Sequence, residues 1–452
     1  MVLPLPFVPF ESYMLADDRP AYPMNMVMRL RFSGQFDRAT LETAMSTAVS
    51  RHPLLAAVAH RSGCRWIWRP AERPPTIRWL DALPAESLPR LAPLDVRVEA
   101  GLRVVSCEGV GRTDLTIQIH HACCDGLGLL RFVEELLVSY AKICGAAPDS
   151  ALRVLCPEQL HGRGRFGLTA GKLLRMLPKQ TLGLLGARQF LMRTPEPLIP
   201  HRSQPDDAPV PADYPASLTR RLTRTESAGL VAAARRLGVT TNDLLVRDFF
   251  LSVKDLRRRT GADPRGWLRL TVPMNLRTIA DRRLPAANVV SMVFLDRRAR
   301  DMEDPQRLLD SIHQEMSLIK RLQLGLTFVL SLQVCRWLPG GLHRMTRANR
   351  CAATAVLTNL GAVLDRCPLP YEDGRLVAGE AVLQSLEGLA PLRPLTCAAL
   401  VLLVYAGHLH ITLHYDSRVL TATEAREFVD DFAARVRQSA DVREPFAAEA
   451  GR

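Results

Sequence analysis

LTIQIHHACCDGLGLLRFVEELL, running from Leu115 to Leu137, is the stretch that decides how the rest of the chain is read. Side chains alternate across a strand, so Leu115, Ile117, Ile119 and His121 share one face and Thr116, Gln118 and His120 share the other. His121 therefore ends an apolar face. A ring at the mouth of a buried layer is desolvated, which keeps it neutral and able to accept a proton. Asp125-Gly126 ends the turn, and Leu129, Leu130, Phe132, Val133, Leu136, Leu137 and Tyr140 then recur at the spacing of an amphipathic helix. The Asp125 carboxylate is expected to fix the turn by bonding its own backbone or a distant arginine. By its chemistry alone, a histidine pair at a strand end is more often a satisfied buried pair than a catalytic one.

Working outward, Asp37 can cap a helix carrying Leu41, Ala44, Met45, Ala48 and Val49, which His52-Pro53 stops. Strand-like runs follow at Arg65 to Trp68 and Val96 to Glu99, and Leu102 to Cys107 forms a hairpin with Leu115 to His120. Seven prolines between Thr194 and Pro215 suit neither helix nor central strand, which marks a crossover between domains. Beyond it the pattern predicts helices at Glu226 to Leu237 and Asn242 to Arg257, with Gly238 just past the first. Strands are predicted at Leu268 to Val272, Val289 to Leu295, Thr354 to Thr358, Ala398 to Tyr405 and Leu409 to Tyr415. A helix at Gln306 to Leu322 interrupts them, and the capping box Thr421-x-x-Glu424 opens a last one. The class is α/β or α+β in two lobes, 1–194 and 216–452, joined by the Pro-rich crossover 195–215.

A chain of 452 residues, 47% hydrophobic and 23% charged, is too long for one core and too apolar to be disordered. Its longest apolar runs, such as Cys397 to Tyr405 and Leu324 to Leu332, fall well short of the roughly 20 residues of a spanning helix. The opening MVLPLPFVPFES lacks a basic n-region, and the 10 cysteines include no CxxC pair, so a reduced cytoplasmic protein is expected. Cys123 and Cys124 beside two histidines do not have the separated pairs of a zinc site, so no metal is expected. No GxSxG, GxxxxGK[ST] or GxGxxG motif occurs.

Net charge is +13, and only five of the 59 basic residues are lysine. The charge is uneven: Gln159 to Pro195 holds Arg163, Arg165, Lys172, Arg175, Lys179, Arg188 and Arg193 and no acid. With only Phe166 and Phe190 as aromatics it does not suit nucleic acid; the stretch reads as a flexible basic loop, either a solvated face beside a core-facing stripe or a contact for an anionic membrane or an acidic carrier protein.

HHxxxDG at His120 to Gly126 resembles the active-site signature of the acyltransferase superfamily that includes nonribosomal peptide condensation domains, chloramphenicol acetyltransferase, polyketide-associated acyltransferases, alcohol acetyltransferases and wax ester synthases. The stretches Phe36 to Leu55, Gly238 to Val246, Val272 to Arg277 with Asn288, Thr358 to Gly361 and Tyr405 to Phe432 are similar to further segments of that superfamily, while the DFGWG motif of its plant branch is absent. The resemblance implies two similar chloramphenicol acetyltransferase-like lobes, mixed sheets flanked by helices, with an active-site tunnel between them. It implies His121 as general base, Asp125 and Gly126 as the rest of the catalytic motif, and His120, Arg277 and Asn288 as supporting residues, Arg277 pairing with Asp125. Thr358 or Asn359 is the candidate donor to the oxyanion. The implied reaction needs no cofactor beyond a thioester co-substrate, acyl-CoA or an acyl carrier protein. A chain without an attached carrier domain points to O-acylation of a small-molecule or lipid alcohol, with ester formation. Condensation-type amide formation and a non-catalytic binding protein are the alternatives.

Overall fold

The computed structural model describes residues 2–81, 88–168, 171, 183, 186, 188–200, 208–263, 265–347 and 350–441. The first half runs β1 (Leu5–Pro6), α1 (Pro9–Asp17), β2 (Asn25–Ser33), α2 (Arg38–Arg51), β3 (Ala57–Ser62), β4 (Arg65–Pro70), β5 (Ile77–Asp81), β6 (Leu102–Gly109), β7 (Arg112–His120) and α3 (Gly126–Ile143). The second runs β8 (Ser217–Arg221), α4 (Arg224–Arg236), α5 (Thr241–Arg259), β9 (Trp267–Asn275), β10 (Val290–Arg298), α6 (Pro305–Arg321), α7 (Leu326–Trp337) and α8 (Gly341–Arg347). It continues through β11 (Ala355–Ala362), β12 (Tyr371–Glu372), β13 (Arg375–Ala378), β14 (Ala381–Leu389), β15 (Ala398–Tyr405) and β16 (His408–Tyr415) to α9 (Ala422–Ala440).

The helix ends follow their capping chemistry. The Asp37 carboxylate accepts from the Thr40 N–H at 2.8 Å, and Thr421 and Glu424 form the reciprocal box that opens α9. Gly238, with φ +66°, turns the chain out of α4 into α5, a conformation that only glycine adopts without strain.

Among the described residues three sheets form, of order β1-β4-β3, β12-β13-β14-β2-β7-β6-β5 and β10-β9-β11-β15-β16-β8. The larger two are mixed: β5 runs parallel to β6, and β11 runs parallel to both β9 and β15. Leu115, Ile117 and Ile119 of β7 join Met26, Met28, Leu30 and Phe32 of β2 in one core with the inward residues of α2 and α3. A second core gathers α4, α5, α6 and α9 on the six-stranded sheet. The architecture is the expected two-lobed mixed α/β one. Among the described residues no single helix is long and apolar enough to cross a membrane.

The sheets do not divide where the prolines do. β14 pairs antiparallel with β2, from Val382 opposite Ser33 to Leu389 opposite Val27, so residues 371–389 complete the first lobe's sheet. The Tyr405 hydroxyl, at the end of β15, accepts from the Leu376 N–H and donates to the Leu383 carbonyl, both at 2.8 Å, which ties the visiting strands to the second sheet.

Two further expectations are corrected. Val96 to Glu99 is a turn rather than a strand, because the Asp95 side chain accepts from the Arg97 N–H at 2.9 Å and the Asp95 carbonyl from Val98 and Glu99. Arg163 is not a solvated charge of a flexible loop: it is buried, with its Nε and Nη2 on the two oxygens of buried Glu11 at 2.6 and 2.8 Å. Trp68 donates to the same carboxylate at 2.9 Å, so this pair pins the segment after α3 onto α1. Lys172, Arg175 and Lys179 lie outside the described residues.

Candidate active site

β7 delivers the motif to the seam between the lobes. His120 ends the strand, and residues 121–123 turn the chain towards α3. The His121 N–H donates to the Met24 carbonyl at 2.7 Å, and its carbonyl accepts from Asn288 Nδ2 at 2.9 Å, so main-chain bonds from both halves hold this residue. Asn288 Nδ2 also reaches the Ala122 carbonyl at 2.9 Å. The His121 ring is half-buried, with the Phe10 ring of α1 at 5.7 Å and Nδ1 unbonded among the described residues. Burial pushes its pKa below the ordinary histidine value, against an upward pull from the Asp125 carboxylate. At neutral pH the ring is therefore a free base.

His120 points the other way, as the strand alternation requires. Its ring is fully buried, its Nδ1 accepts from the Ala122 N–H at 3.1 Å, and its Nε2 lies 3.5 Å from Asp18 Oδ1. Asp18 also accepts from the Met24 N–H at 3.0 Å and from Arg97 at 2.7 Å. His120 is thus part of the frame that sets the loop before β2.

Asp125 caps α3 through the Gly128 N–H at 2.9 Å and accepts from the Val289 N–H at 2.8 Å. Arg277 clamps both carboxylate oxygens, Nη1 on Oδ2 at 2.8 Å and Nη2 on Oδ1 at 2.9 Å, and donates to the Ala287 carbonyl as well. Burial alone would raise the Asp125 pKa, but Arg277 and the two N–H groups hold it below the usual carboxylate range. A carboxylate bonded on both oxygens in this way positions the turn and does not carry protons. At Gly126 a Cβ would lie 2.9 Å from Leu360 Cδ2, so a larger residue there would push the Leu360 side chain aside. Through that contact the end of β11 reaches the start of α3.

Thr358 and Asn359 belong to the same strand, but Asn359 donates to Asn242 at 3.3 Å and accepts from the Gly361 N–H at 2.9 Å. Among the described residues no hydrogen bond joins either side chain to His121. Cys123 and Cys124 are buried thiols whose pKa values burial pushes far up, and a Cβ at Gly101 would collide with Cys123 Sγ at 2.0 Å. They fill space. Among the described residues no group of three metal-ligating side chains occurs.

Two supporting residues escaped the sequence reading. His52, read as a helix stop within a segment similar to the superfamily and given no role in the site, is fully buried, accepts from the Ala286 N–H at 2.9 Å and lies 3.6 Å from Glu135 of α3. It fixes one end of the segment whose other end Asp125 holds. Phe10 reaches His121 from a helix more than a hundred residues earlier, and nothing local in the sequence announces that contact.

No family model matches the chain, and no curated protein matches it. Solved structures do. The first condensation domain of the CDA synthetase superimposes with a TM-score of 0.70 at 16% identity, over 97% of this chain and 96% of that one. This chain has the condensation-domain fold. A starter condensation domain of rhizomide synthetase gives a TM-score of 0.67 at 15% identity, over 97% of this chain and 95% of that one. The epimerization domain from the third module of tyrocidine synthetase B gives 0.65 at 14%, over 97% and 96%. These similarities correct the expected chemistry. Condensation in a peptide synthetase makes an amide, so the expectation of O-acylation, with acyl-CoA as donor and a small-molecule or lipid alcohol as acceptor, gives way to the amide-forming alternative.

Proposed function

We propose that this protein forms amides, moving an acyl group from a carrier-borne thioester to an amine, with His121 as general base. The observation that carries the proposal is a half-buried imidazole, its pKa lowered by burial, on a residue whose N–H donates to the Met24 carbonyl and whose carbonyl accepts from the Asn288 side chain at the lobe seam. The relation to peptide synthetase domains of the same fold supports amide chemistry. His121 takes a proton from the attacking amine as its nitrogen adds to the thioester carbonyl. It returns a proton to the departing thiolate as the C–S bond breaks, leaving amide and thiol. Asp125, Arg277, His120 and Asn288 hold that ring in place without exchanging protons.

The test is to incubate the protein with an acyl pantetheine thioester and a panel of amines and alcohols, following thiol release and product mass. Amide products that require the protein support the proposal; esters alone, or no thiol release with any acceptor, reject it. The pH profile is a second check. His121 acts unprotonated and its pKa is lowered, so the acidic limb of kcat/KM should fall below the ordinary value of about 6.5. A limb at or above that value would mean the base is a different group.

A further inference from the structure

β10 begins beside the motif and leads away from it. Its first residues are tied there by Asn288 on His121 and by the Val289 N–H on Asp125. Along the strand Ser291, Val293, Leu295 and Arg297 are buried, whereas Val290, Met292, Phe294, Asp296 and Arg298 alternate with them, each partly exposed. β10 is an edge strand, and α7 runs past that edge: Gly325 accepts from the Ser291 hydroxyl while Phe328 meets Phe294 edge-on at 5.5 Å. Phe328 in turn meets Tyr13 at 5.6 Å, Tyr13 meets Phe10 at 6.1 Å, and Phe10 meets His121.

At the motif end, Leu127, Leu276 and Leu360 are also partly exposed while packing on the first core. Val290, Met292, Phe294, Leu127, Leu276 and Leu360 thus keep accessible surface along one lane between His121 and Phe294, beside the covered rings of Phe10 and Tyr13. The lane has an abrupt end. Phe190, from the helical residues 188–192 that precede the crossover, lies on Phe294 at 4.6 Å. Beyond it the same face turns ionic: Arg269 is buried against Asp296 at 2.7 and 2.9 Å, lies over the Phe190 ring at 4.2 Å and donates to the Phe190 and Arg193 carbonyls. Arg193 and Arg298 then flank Trp267 at 4.2 and 4.3 Å. An apolar chain running past Phe294 would have to displace Phe190 and strand a buried ion pair.

We infer that this lane binds an extended apolar chain of a substrate, and that Phe190 is the residue that limits its length. From Val290 to Phe294 the strand covers roughly 13 Å, at about 3.3 Å per residue, which suits a medium-length alkyl group. The chain belongs either to the acyl donor or to the amine acceptor, and its link to catalysis rests on the reading above.

Binding and turnover are measured separately so that the two can fail separately. Non-reactive S-alkyl pantetheine thioethers and N-alkyl acetamides, each from butyl to hexadecyl, are titrated against the wild-type protein, Phe190→Leu and Phe190→Trp, with thermal unfolding as the control for folding. In one of the two series affinity should rise about fourfold per methylene and then break, and that series identifies the source of the chain. Phe190→Leu should move the break to longer chains and Phe190→Trp to shorter ones, shifting the preference between octyl and dodecyl about tenfold in opposite directions. Identical breaks in all three proteins, or no dependence on length in either series, overturn the inference. A moving break in a protein that releases no thiol from any thioester leaves the lane standing and removes the amide-forming reading instead.

Discussion

His121→Ala is expected to yield a folded protein whose turnover is lower by about 10² to 10⁴, the usual contribution of a general base. The fold should survive because His121 supports it through its N–H on Met24 and its carbonyl under Asn288, which alanine retains, and because the ring is only half-buried. His120→Ala is the contrasting variant. It empties a fully buried site and leaves the Ala122 N–H without its acceptor, at a cost of about 1–3 kcal/mol for the stranded donor. Thermal unfolding and thiol release, measured on both variants, should therefore give opposite orders. Full turnover in His121→Ala would falsify the assignment of the base.

Removing either partner of the Asp125–Arg277 clamp should destabilise the protein by about 3–5 kcal/mol, since the remaining charge is left buried and unpaired. The double variant should be less damaging than the sum, with a coupling of roughly 0.5–3 kcal/mol. The clamp is bidentate, and Asp125 also holds the N–H groups of Gly128 and Val289, so Asp125→Ala should be the worse of the two single changes. The sign of the pH dependence follows from the lowered pKa of Asp125. Its stabilisation is complete above the ordinary carboxylate pKa near 3.9 and is lost as pH falls through the lower folded value. Denaturant unfolding of the four proteins measures the cycle, and strict additivity would mean that the two side chains contribute independently.

What could be read from residues alone was what local pattern controls. The alternation of Leu115, Ile117 and Ile119 sets which histidine faces which way, and the structure keeps that parity. Helix boundaries with explicit caps, at Asp37, Gly238 and Thr421, were legible for the same reason. The sequence reading assigns no strand at β2, although Met26, Met28, Leu30 and Phe32 alternate plainly there with Arg29 and Arg31 between them. Arg29 is in fact buried, on Asp114 of the neighbouring strand at 2.6 Å. The apolar run Leu324 to Leu332 carried no cap at its start, and it became α7 through packing on β10. The pairing of Asp125 with Arg277 was reached through resemblance alone, since the two are far apart in the chain. Phe10, His52 and the destination of Arg163 were out of reach, because each depends on an element that comes near only once the lobes have closed.

The loan of β14 to the first sheet also matters while the protein is being made. Until residue 389 has been synthesised, β2 has β7 on one side and an open row of backbone donors and acceptors on the other. At ribosomal speeds of about 5–20 residues per second, the stretch between His120 and Leu389 takes tens of seconds to emerge. For that time the nascent first lobe presents a paired, unfinished edge, the kind of surface that recruits a second chain when chaperones do not shield it. Expression of residues 1–215 by themselves would make that transient state permanent.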